Sequence, residues 1–273
     1  MELRALTTAD EFRRVFALEQ EIWGYESIED SVPVTMLLVS ARIGGLVTGA
    51  FDRGRMVGFA YALPGLRGGK PFQWSHMLGV VRDYRNTGLG WQIKLEQRRL
   101  VMASGLDLIA WTYDPLQALN AHFNFAKLGT TAREYHLDAY PESTSDLHRG
   151  TPTDRLVAEW WLRSDRVVER LDGVARGDAG QRDENDVRPV NRVCEGGEWL
   201  APGGHELSLD AARLAVTIPV GFTEMQQRSL PLARAWREAT REIFATYLPR
   251  GYRVVDFVLD RVNRCGRYLL TRP

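Results

Sequence analysis

Residues 77–95 read MLGVVRDYRNTGLGWQIKL, and the order of that stretch decides how the whole chain is understood. An apolar run gives way to the turn Arg85-Asn86-Thr87-Gly88-Leu89-Gly90, and an amphipathic segment follows. The first backbone N–H groups of a helix have no intrahelical partner and carry the positive end of its dipole, so they attract phosphate oxygens. Gly88 and Gly90 have no Cβ to hold a phosphate off the backbone. Arg85 can add a charge-assisted contact from the side. Beyond the turn, Leu89, Ile93 and Leu100 recur at helical spacing, and Gly105 supplies a stop. Strand, glycine turn and helix start in that order predict a seat for a diphosphate. A dinucleotide fold would ask for a third glycine in G-x-G-x-x-G, and a P-loop for G-K-[ST]; neither is present.

What is present is R-x-x-G-x-G, with Val80 and Tyr84 ahead of it. From Leu78 to Gly90 the chain resembles the GNAT superfamily of acyl-CoA N-acyltransferases, with Arg82 standing where a proline is common. Residues 106–113 (LDLIAWTY) then form an apolar run of strand length. Asp114 is a natural N-cap, and Pro115 occupies the first helical position, where its missing N–H costs nothing. The helix is expected to pass through Ala121, Phe125 and Leu128 and to stop at Gly129. The resemblance has a strand and helix here too, closing on Lys127-Leu128-Gly129. The wording DPLQALNAHFNFAKLG (114–129) is similar to a bacterial GNAT subgroup with an extra C-terminal domain, which includes amino-acid N-succinyltransferase-like members.

That resemblance implies an α/β GNAT fold, a mixed and mostly antiparallel central sheet flanked by helices, with a smaller C-terminal α+β domain. It implies transfer of an acyl group, acetyl or succinyl, from acyl-CoA to the amine of a small molecule, with an amino acid favoured. The amine attacks the thioester directly, without a covalent enzyme intermediate. Acetyl-CoA or another acyl-CoA, succinyl-CoA among them, is the implied cofactor. It would be held by the strand at Leu78, Gly79 and Val80, by Arg85, Asn86, Thr87, Gly88, Leu89 and Gly90, and by Asn120 and Phe125 of the later helix. A backbone N–H near Gly79-Val80 would polarise the thioester carbonyl, and the pantetheine arm would pair with the strand edge.

His76 is the expected base. It lies four residues before Val80, hence on the same face of a regular strand, and a histidine with a pKa of ~6.5 can accept a proton near neutrality. The alternative is a buried histidine satisfied by a carbonyl. Many members of the family carry a tyrosine as acid toward the thiolate where this chain has Phe125. That leaves the role unnecessary, filled by water, or taken by a residue such as Tyr113. Trp74 and Tyr113 are candidate acceptor contacts, against the common reading of strand aromatics as core. Arg237 and Arg241 sit four apart and could clamp a carboxylate. Glu238 and Glu242 accompany them, so a solvated ion-pair face is the competing account. No metal is expected, since His122, His136, His148 and His205 show no ligand spacing such as H-E-x-x-H.

The rest of the chain supplies the frame. Residues 2–7 read as a strand, and Thr8 with Glu11 forms a capping box opening a helix that ends at Gly24. A second helix is expected over 34–43. Strands follow at 46–51, 56–63, 72–81, 132–138 and 156–162, the first two joined by a hairpin at Asp52-Arg53-Gly54-Arg55. This sets a catalytic domain over 1–163. Residues 164–191 are rich in charge and glycine and read as a linker, with a short helix at their start. A small domain over 192–273 has strands at 214–220, 252–259 and 267–271 and an amphipathic helix at 230–248.

Lys and Arg number 35, balanced by 35 Asp and Glu, so no global field draws in nucleic acid or an acidic membrane. Only Cys194 and Cys265 are present, far apart, which fits a reducing compartment better than a disulfide scaffold. A cytoplasmic enzyme with a small amine as partner is the expectation, with a homodimer admitted and no nucleic acid or membrane partner. The rival from another class is a catalytically inactive CoA-binding sensor or assembly module, which Phe125 keeps open. A nicotinamide-dependent reductase is disfavoured by the missing third glycine.

Overall fold

The computed structural model describes residues 1–24, 31–141, 150–176 and 186–272. Two compact units emerge, one over residues 1–111 and the other over 112–141 and 150–272.

The first unit begins with β1 (Glu2–Ala5), α1 (Ala9–Trp23) and α2 (Val34–Arg42). It continues through β2 (Leu46–Asp52), β3 (Arg55–Arg67), β4 (Lys70–Val80) and α3 (Leu89–Ala103) into β5 (Leu108–Tyr113). The strands lie in the order β1-β2-β3-β4-β5. The first four are antiparallel and β5 is parallel to β4, so the sheet is mixed and mostly antiparallel. Helix α1 starts where the sequence said it should. The Thr8 side chain accepts from the Glu11 N–H, the Glu11 carboxylate takes the Thr7 and Thr8 N–H groups, and Gly24 closes the helix in the left-handed conformation. Those amides and Arg4 hold the Glu11 carboxyl down at about 2, against the opposing effect of its burial. Phe12, Val15 and Leu18 of α1 pack with Leu37 of α2 against Val57, Phe59 and Tyr61 of β3, forming this unit's core.

The second unit holds α4 (Ala118–Ala121), β6 (Tyr135–His136), β7 (Arg155–Trp161), α5 (Asp165–Ala175) and β8 (Arg188–Pro189). Then come β9 (Asn191–Gly196), β10 (Trp199–His205), β11 (Arg213–Pro219), α6 (Phe222–Arg228), α7 (Leu230–Tyr247), β12 (Arg253–Asp260) and β13 (Cys265–Thr271). One sheet runs β12-β13-β11-β8, with β9 and β10 as a separate pair. Its core is aromatic: the Tyr268 ring lies edge-on to Phe125 at 5.9 Å, Phe244 at 5.4 Å and Phe257 at 4.8 Å.

Several expectations change. The helix after β5 is α-helical only over 118–121 and continues as a π turn, His122–Lys127. The strand expected over 132–138 shortens to Tyr135–His136, because Ala132 exchanges backbone hydrogen bonds with Val254 instead. The stretch 164–191 contains α5, capped by Ser164, and β8; its residues 177–185 lie outside the described ones, as does His148. Residues 191–205 form a two-stranded hairpin that no alternation in the sequence announced. The two compact units part inside β5. Among the described residues, no helix is long and apolar enough to cross a membrane.

Replacing Thr8 by Ala removes one half of the capping box and should cost about 1 kcal/mol, read as a lower midpoint in urea unfolding. A midpoint equal to the parent's would show that the cap contributes nothing.

Candidate functional site

Strand β4 carries one residue more than its partner. Tyr61 of β3 stands opposite Met77 and Ala62 opposite Ser75, which leaves His76 as the extra residue of a β-bulge. The bulge changes which way the neighbouring side chains face. Val80 lies on the α3 face, since a Cβ on Gly58 would sit between Ile93 of α3 and Val80. Ser75 faces α3 as well, through hydrogen bonds to Lys94 and Gln97. His76 instead stands edge-on to Tyr61 at 5.9 Å, and the Tyr61 hydroxyl meets Ser40 of α2 at 2.7 Å. The expectation that His76 and Val80 share a face is therefore corrected: one inserted residue turns the imidazole to the α1–α2 side.

The other edge of β4 is open. Its parallel ladder to β5 joins Gln73 with Ile109 and Trp74 with Ala110 and extends no further among the described residues. The Val81 N–H donates to Val57 of β3. By strand alternation Gly79 also faces β3, while the backbone groups of Leu78 and Val80 face the unpaired edge. That narrows the expected donor from Gly79-Val80 to Leu78 and Val80. The Val80 carbonyl is already taken by Arg85 Nε at 3.2 Å. Arg85 also donates to the Ile22 carbonyl at 3.3 Å, so it ties β4 to α1 as well as bordering the turn.

The turn itself has the expected shape. Asn86 at φ 63° and Gly88 at φ 90° adopt left-handed conformations, and Thr87 Oγ1 donates to the Tyr84 carbonyl at 2.7 Å. Helix α3 begins at Leu89, and its first hydrogen bond runs from Gln92 N–H to the Gly88 carbonyl. The amides of Leu89 and Gly90 thus have no carbonyl a turn earlier to bond. A Cβ placed on Gly88 or Gly90 would meet nothing within 4 Å, so space for a phosphate lies against the backbone there.

Two buried ionisable groups near β4 escaped the sequence reading. Glu19 of α1 is 0% exposed; one carboxylate oxygen accepts the Val32 N–H at 2.9 Å, and the other has no partner among the described residues. Burial, partly offset by that amide, raises its pKa to about 7. Its charge is felt at Tyr61, the ring that His76 touches. Burial moves His76 in the opposite sense, below the ordinary histidine value, although its ring reaches solvent. Lys94 of α3 is 2% exposed; its ammonium contacts Ser75 Oγ and Gln97 Oε1 at 3.0 Å each and lies 3.8 Å from the centre of the Trp111 ring. All those partners are neutral, and burial lowers the Lys94 pKa to about 7. Helical spacing marks both positions as inward-facing, but a Glu or Lys there reads as an error in the pattern until its surroundings are seen.

Other candidates are placed differently. Trp74 is half-buried and edge-on to Phe72 at 6.5 Å. Asn120 is exposed on α4. Phe125, an expected cofactor contact, is fully buried between Tyr113 and Tyr268, so it serves the core. Tyr113, an expected acid or acceptor contact, is buried as well. Its hydroxyl donates to Tyr268 at 3.2 Å, and burial holds it well above the ordinary tyrosine value. Arg241 is held by Asp154 through Nε and Nη2 and by Asp138 through Nη2, so those nitrogens are not free to clamp a substrate. Arg237 is 1% exposed and pairs with Asp114 at 2.8 Å, while its Nε and Nη1 have no partner among the described residues.

Glu19 and Lys94 should leave a mark on stability. Between about 4.5 and 7 the native state keeps the Glu19 proton that the unfolded chain has lost, so stability falls as pH rises through that window. Between about 7 and 10.5 the unfolded chain holds a Lys94 proton that the native state lacks, so stability rises with pH there. Across its window the change should amount to about 3 kcal/mol for Glu19 and about 5 kcal/mol for Lys94. Chemical unfolding at stepped pH should show the first slope vanish in Glu19→Gln and the second in Lys94→Met. Unchanged slopes in both variants would contradict the burial.

Neither a family model nor a curated protein matches the sequence. Solved structures do resemble the fold. The ribosomal-protein-S18-alanine N-acetyltransferase of Escherichia coli matches with TM-score 0.48 and 15% identity over 60% of this chain and 94% of its own. A GNAT-family acetyltransferase of Streptococcus pneumoniae gives 0.46 and 15% over 58% and 98%. The protein yncA of Salmonella typhimurium, solved with its cofactor acetyl-CoA, gives 0.48 and 14% over 60% and 95%. In structure, then, the chain is similar to GNAT-family acetyltransferases over somewhat more than half its length.

Proposed function

We propose that this chain transfers an acyl group from acyl-CoA to the amine of a small molecule, as a cytoplasmic enzyme. The observation that carries this reading is the open edge of β4 beside a bulge, followed within one turn by the bare start of α3. Leu78 and Val80 offer backbone groups on the unpaired edge, and Leu89 and Gly90 offer amides without intrahelical partners, with space beside Gly88 and Gly90. A flexible arm ending in a diphosphate fits that sequence of donors. When bound, acyl-CoA supplies an activated thioester, whose carbonyl a fixed amide of β4 would polarise.

The chain's own part in the chemistry is to remove a proton and exclude water. His76, whose pKa burial shifts below the ordinary histidine value, accepts the proton of the incoming ammonium directly or through water. Glu19, on the same side of the sheet and titrating about 7, is a second proton carrier within the α1–α2 face. Phe125 and the locked hydroxyl of Tyr113 offer no acid to the departing thiolate, so solvent fills that role. Among acceptors, an amino acid remains favoured. Acetyl-CoA and succinyl-CoA are the donors to compare. The second reading, a CoA-binding sensor, draws on the absence of a tyrosine at Phe125.

Free-thiol release with a panel of acyl-CoAs and amines separates the two. The parent should turn over at least one pair, and His76→Ala should lower kcat by roughly 100-fold with little change in CoA affinity. CoA binding without thiol release for any acceptor would establish the sensor. Gly90→Glu places a carboxylate where the diphosphate should lie, at a helix position that favours acidic residues. It should weaken CoA binding by at least ~10-fold with an unchanged melting temperature; undiminished affinity would move the cofactor elsewhere.

A further inference from the structure

The second unit contains a cavity of about 310 Å³ to which Arg133, Glu159, Trp161, Ser164, Arg166 and Arg253 contribute. None of these residues belongs to the stretch 76–90 or to the candidates discussed above. The charges in its wall do not cancel. Glu159, 3% exposed, is occupied by Arg133 Nε at 3.2 Å and by the Trp161 indole N–H at 3.4 Å. Among the described residues Arg166 donates only to the carbonyls of Gly129 and Val255; the Asp256 charge reaches it, but that carboxylate is bound by Arg170. The Arg253 guanidinium, at the exposed start of β12, has no hydrogen-bond or ion-pair partner among the described residues. Ser164 caps α5, so the positive end of that helix opens on the same space.

Trp161 adds a second kind of recognition. Its neighbour Trp160 points inward and donates to the Leu128 carbonyl at 2.8 Å, whereas alternation along β7 turns Trp161 outward, 42% exposed at the cavity wall. An indole beside unneutralised guanidinium groups offers a face for a flat ring and donors for its anionic substituent.

We infer that this cavity binds a small molecule in which a carboxylate or phosphate is attached to a planar ring, with Arg253 and Arg166 holding the oxyanion and Trp161 stacking on the ring. The volume is at the lower end of ligand pockets, enough for a single-ring acid or a mononucleotide. The inference is independent of the acyl-transfer reading.

Calorimetry on the full chain at constant ionic strength, with inorganic phosphate, benzoate and adenosine monophosphate as probes, tests it. A ring-bearing probe should bind more tightly than phosphate. Arg253→Glu should weaken that probe by at least ~10-fold. Trp161→Leu should bring it down to the level of phosphate. Arg253→Ser serves where the charge reversal perturbs folding, as read by the melting temperature. Absence of binding by every probe at millimolar concentration, or equal affinity in parent and Arg253 variants, would overturn the assignment.

Discussion

The one-residue bulge at His76 is the constraint from which the first unit's candidate site follows. Without it, β4 would present Ser75, Met77 and Gly79 on one face and His76, Leu78 and Val80 on the other. With it, Ser75 bonds to Lys94 on the α3 side while His76 meets Tyr61 on the opposite side. The same irregularity sits where the ladder to β5 gives out, and β4 continues with one edge unpaired. Bulges end pairing and re-aim side chains, and here both effects fall on one residue.

The second unit relies on buried charge. Arg237 with Asp114, and Arg241 with Asp154, bring ionised groups into a region otherwise filled by Phe125, Phe244 and Tyr268. Burying such pairs is costly unless each lone pair and proton finds a partner. Asp154 comes close to that state, accepting from Arg241, the Tyr135 hydroxyl and the Asp138 N–H. Arg237 does not, with two nitrogens left over beneath Phe222. Removing Asp114 would leave the Arg237 cation in the interior, which is more damaging than losing both members of the pair.

Local chemistry was legible in the sequence, and long-range consequences were not. The capping box at Thr8 and Glu11, the hairpin at Arg53-Gly54 and the glycine turn at 88–90 are set by residues within a few positions of one another. The face of His76 depends on an extra residue that hydropathy does not reveal. The burial of Glu19 and Lys94 depends on what packs over them. Arg237 and Arg241 look in sequence like a solvated charged face, but Asp114 and Asp154, far away along the chain, claim them. The hairpin at 191–205 is largely exposed and lacks a clean two-residue alternation, so nothing announced it.

The π turn at His122–Lys127 extends the lesson of the bulge to helices. Its closing bond runs from the Leu128 N–H to the Phe123 carbonyl, one residue wider than an α turn. A wider turn rotates everything after it by roughly a quarter of a revolution relative to an unbroken helix. Phe125 lies inside that turn, fully buried between Tyr113 and Tyr268. Any scheme that transfers roles between chains by counting along this helix slips out of frame inside the turn, and trimming a single residue there would bring the count back into step.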